Sequence, residues 1–418
     1  MRALQAKGTT LSWQRNLWAT VAAEILAILG FQASFILIPY YIQQMGITRA
    51  AEVATWTGAY QSVGAISFAV FTPIWGTLGD RYGRKIMLVR AMAATVLVLI
   101  LMGLARTPAQ LMLLRVVQGC LTGTPAAASA LVATTLPKDR LAYGLGLVQT
   151  AVFVGSSLGP MMGGYIGDAL SYRSTFFVSA GIVLVGFVLI LFWVNEPPES
   201  HAMALHARKE SPLRALRGLL GSPYLVLLIG VNLAINLTVS MLGPVLPILI
   251  QRLVAQTERL ASTAGTISGV AALASAVSAL VIGRLSDRLG YRATLLACAA
   301  VTTLLYFPLA FSRTPFTLGL FQALQGFFRG GIAPSTSALV VEQASPEKAG
   351  AALGLNTSAA SVGFAVGPLL GAALVNATST RNIFILSALF FGAITLAIAL
   401  ANGRYKTRYA LLHEPPIA

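Results

Sequence analysis

Charged residues are scarce in this 418-residue chain, and acidic residues are the scarcest of them. Lys and Arg total 29, Asp and Glu total 13, and the four types together make up 10% of the sequence. A soluble domain carries about 25% charged residues, because these residues cover its surface. Hydrophobic residues reach 56%, and the mean hydropathy is +0.76. The composition therefore excludes a water-soluble protein and indicates that lipid surrounds most of the chain.

Cysteine and histidine are also rare, which removes several kinds of site. The two cysteines, Cys120 and Cys298, lie far apart in apolar runs and have neither disulfide nor metal-site spacing. A Gly-x-Ser-x-Gly pattern around Ser157 falls inside an apolar run, and all three histidines lie outside such runs, so this serine has no base. The sequence contains no Gly-x4-Gly-Lys-Ser/Thr loop, which argues against ATP as the energy source. We expect no metal, no cofactor and no enzymatic reaction.

Long apolar runs make up most of the sequence. A spanning helix needs about 20 apolar residues, and the runs lack the alternation that marks a membrane strand. We therefore predict an all-α membrane protein with twelve transmembrane helices. The first run has no signal-peptide cleavage pattern, so we expect it to be retained as a span. The predicted spans are residues 16–42, 52–78, 86–105, 109–135, 142–166, 174–195, 222–250, 260–284, 291–311, 315–341, 349–376 and 381–402.

The basic residues are distributed unevenly between the two sides of these spans. With the N-terminus in the cytoplasm, twenty of them fall in cytoplasmic segments and seven on the opposite side, while Arg115 and Arg329 fall inside helices. The positive-inside rule then places both termini in the cytoplasm. This topology, together with contact with anionic membrane lipids, explains the net charge of +16. We therefore expect no nucleic-acid partner. The compact loops favour a bacterial inner membrane.

The chain contains an internal repeat. The loop Gly76–Arg84 recurs as Gly283–Arg292 at an offset of 207, and the Gly-Pro stretch Gly155–Gly163 recurs as Gly363–Gly371 at an offset of 208. Single residues also recur 208 positions apart, namely Pro39 and Pro247, Gln43 and Gln251, and Arg173 and Arg381. A duplicated six-helix unit is the simplest explanation of these matches.

The repeat predicts the domain organisation. We expect six-helix bundles at residues 1–195 and 222–402, a cytoplasmic linker at 196–221 and a cytoplasmic tail at 403–418. Each half has an even number of spans, so both halves have the same orientation and are pseudo-symmetric about an axis along the membrane normal. Two such bundles enclose a cavity and can rock about a site near the midplane.

The paired Gly-x-Leu-x-Asp-Arg-x-Gly loops, the layout of six plus six spans and the Gly-Pro helix resemble the major facilitator superfamily. Arg115-x2-Gln118-Gly119 and the motif from Gly155 to Gly164 resemble its twelve-spanner drug:proton antiporter branch, the multidrug and tetracycline efflux type. The resemblance covers essentially the whole chain. It implies a monomeric secondary-active transporter that exports small amphipathic compounds or drugs, antibiotics among them, in exchange for protons by alternating access. The motifs do not specify the substrate.

The paired loops are candidates for a conformational latch. Glycines allow the tight turn between antiparallel helices, and a carboxylate at the membrane edge can face the positive N-terminus of another helix. The resemblance implies that this helix is span eleven for Asp80 and span five for Asp287. The alternative is a basic turn that only sets topology. The latch candidates are Gly76, Asp80, Arg81, Gly83, Arg84, Asp287 and Arg288.

The Gly-Pro motif of span five is a candidate helix-packing surface. Its glycines lie one turn apart and expose bare backbone, against which another helix can pack closely. Pro160 removes one backbone hydrogen bond and bends the helix. The resemblance adds a second interpretation, an antiporter hinge or a seal against leak. The motif residues are Gly155, Gly159, Pro160, Gly163 and Gly164.

Glu24 is the one acidic residue well inside a predicted span, since Glu342 lies at the end of span ten. A charge at a helix centre costs at least about 2.5–3.5 kcal/mol in membrane insertion, and burial favours the protonated form of a carboxyl group. We therefore predict that Glu24 exchanges a proton. The alternative is a carboxylate that snorkels to the surface, because Glu24 lies only about 12 Å from the cytoplasmic end of its helix.

Arg115 and Arg329 are the two arginines deep inside the predicted spans. The resemblance implies that Arg115 forms hydrogen bonds within the first half and senses protonation, whereas a structural tie to span-one carbonyls is the alternative. Arg115 lies nearer the outer side than Glu24, so we do not expect a direct salt bridge. Arg329 lies close to the midplane and should meet water, a partner or an anionic substrate group.

Further polar and aromatic residues are candidates for the substrate cavity, because amides and rings bind amphipathic molecules without a fixed charge pattern. Each is equally suited to a helix–helix hydrogen bond. An alternative function is uptake or exchange of an anionic metabolite through Arg329 and Arg115, and a membrane receptor or enzyme is disfavoured. The candidate substrate residues are Gln32, Phe35, Tyr60, Gln61, Gln149, Phe153, Asn232, Asn236, Gln325, Arg329 and Asn356.

Overall fold

The computed structural model describes residues 2–196, 222–254, 259–344 and 348–413, apart from the side chains of residues 2–12, 80, 138 and 402–413. Within these ranges the chain forms sixteen α-helices and one 3-10 turn, and it contains no strand. The predicted linker, apart from Glu196, and the last five residues of the predicted tail lie outside the described residues.

The first repeat contains eight helices. Their bounds are α1 Arg2–Phe35, α2 Ile38–Gln44, α3 Ala50–Tyr82, α4 Arg84–Leu104, α5 Pro108–Leu121, α6 Thr124–Thr135, α7 Leu141–Ala169 and α8 Tyr172–Trp193. The 3-10 turn Lys138–Arg140 precedes α7. We call the end of this repeat where α3 meets α4 the loop end, and the end where α7 stops the far end.

The second repeat contains the other eight helices. Their bounds are α9 Pro223–Met241, α10 Val245–Val254, α11 Leu260–Leu289, α12 Tyr291–Ala310, α13 Pro315–Gly330, α14 Ile332–Gln343, α15 Ala349–Ala377 and α16 Thr380–His413. The last helix continues beyond the predicted end of span twelve into the predicted tail.

Four of the predicted spans are broken helices, and the breaks follow the repeat. The break between α1 and α2 ends at Leu37, and the break between α9 and α10 ends at Pro244, 207 positions later (244 minus 37). The break between α5 and α6 ends at Gly123, and that between α13 and α14 lies at Gly331, 208 positions later (331 minus 123). Gly123 has a φ of 131°, which glycine adopts without strain. The duplication thus includes the helix interruptions as well as the sequence motifs.

All twelve predicted segments are helical, and the all-α membrane fold is confirmed. Eleven of the described helices, counting α5 with α6 and α9 with α10 as one span each, are long and apolar enough to cross a membrane. The twelfth, formed by α13 and α14, falls outside that set and carries Gln322, Gln325 and Arg329. Large apolar side chains such as Leu113, Phe192 and Phe316 are exposed, as lipid contact requires.

The contacts divide the chain into two compact units that do not follow the repeat boundary. One unit contains Met1–Lys209 with Leu246–Leu273, and the other contains Glu210–Val245 with Ala274–Ala418. The first unit therefore includes α10 and the first half of α11. Its core has one buried cluster that includes Leu88 and Leu131 and another that includes Tyr41 and Phe176. In the second unit Tyr306 and Phe391 are fully buried, with ring centroids 5.8 Å apart.

The turn between α3 and α4 is stabilised by a carboxylate from the start of the linker. Gly83 makes the turn with a φ of 102°. The two carboxylate oxygens of Glu196 accept hydrogen bonds from the backbone N–H groups of Arg84, at 3.0 Å, and Lys85, at 2.9 Å. These groups have no intrahelical partner at the start of a helix, and the positive end of the helix favours an anion there. Glu196 thus caps α4 across 112 positions of sequence.

We expect Glu196→Ala to lower the stability of the protein, because it leaves two N–H groups of α4 uncapped. Loss of a helix cap costs about 1 kcal/mol, and the midpoint of thermal unfolding in detergent measures the effect. Glu52→Ala is the matched control, since Glu52 forms an exposed ion pair with Arg49 at 3.5 Å and such pairs contribute little. Equal unfolding midpoints for the two variants would contradict this role of Glu196.

Candidate functional site

Glu24 lies on α1 and is completely buried, with 0% of its surface exposed. The hydroxyl of Thr124 donates a hydrogen bond to Oε1 at 3.2 Å, whereas Oε2 has no hydrogen-bond partner among the described residues. None of the described basic groups lies within ion-pair distance of this carboxyl. The burial rules out the alternative of a surface carboxylate that snorkels.

The N-terminus of α6 meets the Glu24 carboxyl. Thr124 is the first residue of α6, directly after the break at Gly123. The positive end of a helix stabilises a negative charge, whereas burial in apolar surroundings destabilises it. The helix end therefore favours the ionised form of Glu24, whereas the apolar surroundings favour its neutral form.

Arg115 lies on α5 and is also buried, with 8% of its surface exposed. Its Nη1 donates to Gln118 Oε1 at 2.6 Å, and its Nε donates to the carbonyl oxygen of Tyr60 at 3.4 Å. The carbonyl therefore belongs to the predicted span two rather than to span one. The guanidinium carbon also lies 4.9 Å from the ring centre of Tyr60 and 5.2 and 5.4 Å from those of Phe31 and Phe35. Three aromatic faces thus stabilise the buried cation.

A cavity of about 270 Å³ is lined by Arg115 but not by Glu24 itself. Thr124, the hydrogen-bond partner of Glu24, is also one of its lining residues. Ile28, Phe31 and Phe68 supply apolar walls. The cavity lies wholly among residues of the first repeat, and its combination of apolar walls with a few polar groups is typical of small-molecule sites.

None of the other predicted substrate residues of the first repeat is among those that line this cavity. Phe35 and Tyr60 contact Arg115, with ring centroids 6.2 Å apart. Gln32 packs against Gly159 of α7. Gln61, Gln149 and Phe153 do not line the cavity, and Gln149 is exposed.

In the second repeat three asparagines form a hydrogen-bonded group. Asn232 Nδ2 donates to the carbonyl oxygen of Asn356 at 2.9 Å, and Asn236 Nδ2 donates to Asn232 Oδ1 at 2.9 Å. The group joins α9 to α15. The side-chain oxygen of Asn356 is buried and has no partner among the described residues.

A second polar group of this repeat contains donors without acceptors. Gln325 is 2% exposed, and its Nε2 has no hydrogen-bond partner among the described residues. Arg329 is half-buried one turn later. Within the described part of the chain Arg329 forms no ion pair. This arrangement could accept an anionic or carbonyl oxygen.

The paired loops differ in their local contacts. Arg81 is exposed and lies 5.4 Å from the ring of Tyr82, while the side chain of Asp80 lies outside the described part of the structure. Asp287 is exposed and accepts a hydrogen bond from the hydroxyl of Tyr291 at 2.8 Å. Arg288 is exposed beside it, and Gly76 and Arg84 line a separate cavity.

The Gly-Pro motif of α7 packs against two helices. Added side chains at Gly155, Gly159 and Gly163 would overlap residues 28–33 of α1. An added side chain at Gly164 would overlap the backbone of Ala261 on α11, and one at Gly265 of α11 would overlap the carbonyl of Pro160. The motif therefore permits close approach of α1 on one face of α7 and of α11 on the other.

Sequence reasoning missed several contacts at the far end. The carboxylate of Asp168 accepts hydrogen bonds from the backbone N–H groups of Ala261, at 3.0 Å, and Ser262, at 2.7 Å, and so caps α11. Gln43 and Gln251 exchange amide hydrogen bonds of 2.8 and 2.9 Å. Their shared offset of 208 was a usable signal, because residues related by the repeat can meet at the pseudo-symmetry axis. Asp168 gave no such signal.

The broken helices, the duplicated bundle and the buried ionisable groups beside a cavity define a membrane transporter. A family model for the Major Facilitator Superfamily matches residues 20–254 and 230–412. The multidrug resistance protein MdtG of Citrobacter koseri is 34% identical over 399 residues, with 95% of both chains covered, and that of Enterobacter lignolyticus is 32% identical, with 93% of both covered. The chain belongs to the major facilitator superfamily.

Solved structures show the same fold. The nucleoside transporter NupG has a TM-score of 0.75 at 15% identity, covering 91% of this chain and 99% of that one. A bacterial homologue of the human lysosomal transporter Spinster has a TM-score of 0.76 at 14% identity, covering 93% of this chain and 97% of that one. The predicted fold and family are therefore confirmed, and the chain is a multi-pass secondary transporter of small molecules, not an enzyme.

We expect Asp168→Asn to weaken the contact between α7 and α11, because the variant loses the charge that caps α11. Such charges contribute about 0.3–1 kcal/mol. In a background without Cys120 and Cys298, the initial rate of cross-linking between Gln43→Cys and Gln251→Cys by a short dithiol-reactive reagent should fall in the variant. Asp139→Asn, an exposed acid at the opposite end, should leave the rate unchanged. An unaltered rate in Asp168→Asn would count against this contact.

Proposed function

We propose that this chain exports small amphipathic compounds, drugs among them, in exchange for protons by alternating access, and that Glu24 carries the proton. The observation that carries the proposal is the buried Glu24 carboxyl: one oxygen accepts from Thr124, which lines the Arg115 cavity, and the other has no partner among the described residues. The names of the relatives, multidrug resistance proteins at 32–34% identity, support the substrate class.

The chemistry of the cavity suits this substrate class. Ile28, Phe31 and Phe68 offer apolar and aromatic surface without a fixed pattern of hydrogen bonds. Such walls accept molecules of varied shape, and a buried carboxyl can compensate a positive charge on the substrate. A cationic compound in the cavity would favour the ionised form of Glu24, and protonation of Glu24 would weaken its binding, which couples export of one to uptake of the other.

Arg115 is the second residue of the coupling mechanism. Its position is fixed by Gln118 and the Tyr60 carbonyl, so it keeps its charge at the edge of the cavity. When Glu24 is ionised, the two opposite charges attract each other across the cavity, and when Glu24 is neutral this attraction is lost. The protonation state of Glu24 therefore changes the electrostatic energy of the first bundle.

Alternating access would use the contacts on both ends of the bundles. The Gly-Pro face of α7 and the Asp168 cap of α11 would hold the far end closed. The loops around Asp80 and Asp287 would form the corresponding latch in the other state, as the family resemblance implies. The rocking bodies in this scheme are the bundles 1–195 and 222–402, joined by the linker 196–221.

The topology also forms part of the proposal. The twenty-to-seven distribution of basic residues supports cytoplasmic termini in a bacterial inner membrane, with the paired loops on the cytoplasmic side. The transporter would act as a monomer with anionic lipids at its basic surface and without a nucleic-acid partner.

A second candidate function follows from Gln325 Nε2, which has no partner among the described residues, and from Arg329, which forms no ion pair with them. They suit an anionic metabolite, which the chain would take up or exchange with the help of Arg115. The names of the relatives favour drug export instead, so this function ranks second.

We expect Glu24→Gln to abolish substrate-induced proton movement, because the amide cannot take up or release a proton. The measurement is the internal pH of proteoliposomes after addition of an exported compound. Glu342→Gln, an exposed acid at the end of α14, is the matched control and should behave like the wild type. Undiminished proton movement in Glu24→Gln would remove this residue from the mechanism.

We expect Arg329→Ala to leave export of cationic and neutral compounds within about twofold of wild type, since the proposed coupling site lies in the first repeat. If the second candidate function holds, the variant instead loses transport of anions, because a charge-assisted hydrogen bond to the substrate is missing. Uptake assays with matched anionic and cationic dyes distinguish the two functions. Arg313→Ala, an arginine outside the spans, serves as the control.

A further inference from the structure

A second cavity of about 240 Å³ lies at the loop end of the first repeat, between α3, α4 and α6. It shares only Thr122 and Gly123 with the cavity beside Glu24. Arg84 and Arg90 line it, and none of its described lining residues is acidic. The proposed drug export makes no use of this cationic cavity.

The side chain of Arg90 stacks on the indole ring of Trp75. Its guanidinium carbon lies 3.3 Å from the centre of the Trp75 ring, a distance typical of direct stacking. The indole Nε1 of Trp75 donates to the carbonyl oxygen of Cys120 at 2.6 Å. Because this bond fixes the indole, the stacked guanidinium is fixed as well.

Two donors of Arg90 have no acceptor. Its Nε and Nη1 are buried and have no hydrogen-bond partner among the described residues. A buried charged donor without a partner is costly. Each of these N–H groups can donate a charge-assisted hydrogen bond to a phosphate oxygen. The donors of Arg90 therefore suit an anionic ligand in this cavity.

The position of the cavity indicates where this anion comes from. Arg90 lies six residues after the start of α4, or about 9 Å along the helix. This depth is near the membrane surface, where lipid phosphates lie. Gly76, Gly79 and Ala126 form walls that are small and apolar, with room for the glycerol part of a lipid. Arg84 stands at the helix start and donates to the Ala130 carbonyl at 3.4 Å.

We propose that this cavity binds the phosphate group of an anionic phospholipid, with Arg90 as its main ligand and Arg84 at its rim. The excess of basic residues on the loop side attracts such lipids to this end of the protein. Inorganic phosphate has the same chemistry and is the alternative source of the anion.

Native mass spectrometry of the full chain in detergent tests the proposal. The delipidated protein is titrated separately with phosphatidylglycerol, phosphatidylcholine and inorganic phosphate. We expect phosphatidylglycerol to bind most tightly to the wild type, and Arg90→Ala to weaken its first binding step about tenfold or more. Arg90→Lys keeps the charge but loses the planar guanidinium group. Its affinity for phosphatidylglycerol should therefore lie between those of the wild type and Arg90→Ala.

Arg140→Ala is the matched control, because Arg140 is an exposed arginine, with 61% of its side chain accessible, on the same side of the bundle. It should bind phosphatidylglycerol like the wild type. Equal phosphatidylglycerol binding by Arg90→Ala and wild type, or equal binding of the two lipids by wild type, would overturn the proposal. If the protein bound inorganic phosphate but not phosphatidylglycerol, the conclusion that the bound phosphate group belongs to a lipid would be wrong. If Arg90→Ala fails to fold, the comparison of Arg90→Lys with wild type decides the question in the same way.

Discussion

The structure depends on one constraint: within hydrocarbon, every backbone N–H and C=O group must find its partner inside the protein. A broken membrane helix is therefore tolerated only where other residues replace the missing bonds. At the end of α5 the Cys120 carbonyl accepts from the Trp75 indole at 2.6 Å. At the end of α4 the hydroxyl of Tyr41 donates to the carbonyls of Met102, at 3.1 Å, and Ala105, at 3.0 Å. Because the break between α5 and α6 is stabilised in this way, Thr124 can begin a new helix directly beside Glu24.

Duplication supplies the same scaffold twice, and single side chains make the two copies different. Arg173 donates to the Ala105 carbonyl at 3.2 Å, and its counterpart Arg381 donates to the Ala310 carbonyl at 3.3 Å, so both repeats close one helix end by the same bond. Glu24 has Asn232 as its counterpart, 208 positions later (232 minus 24). The carboxyl can exchange a proton, whereas the amide forms a hydrogen bond to the neighbouring backbone. The two bundles thus combine equal architecture with unequal chemistry, as the proposed proton coupling through Glu24 requires.

Much of the fold was predictable because membrane insertion depends on simple properties of the sequence, namely the length and hydrophobicity of its segments. The twelve apolar segments, the repeat offset and the position of Glu24 and Arg115 inside spans follow from composition and spacing. The partners of these residues did not, since Thr124 lies 100 positions from Glu24 and Tyr60 lies 55 positions from Arg115. From residue type alone, Gln149, Gln61 and Tyr60 were equally good candidates for the substrate cavity. Of these three, only Tyr60 contacts Arg115. Spacing along one helix identifies a face, but it does not show which helix will cover that face.

The sequence by itself determined that the protein lies in lipid, that it is helical, that it contains an internal repeat and that a few charges are buried at a cost. These properties follow from the residue composition of short segments, on which membrane insertion directly depends. Only the tertiary structure decided that Arg115 lines a cavity beside the partner of Glu24, that Asp168 caps α11, and that two donors of Arg90 have no partner among the described residues. The reason is physical: such contacts arise where helices distant in sequence pack together, and their geometry is set by the small residues and helix breaks that control how closely those helices approach.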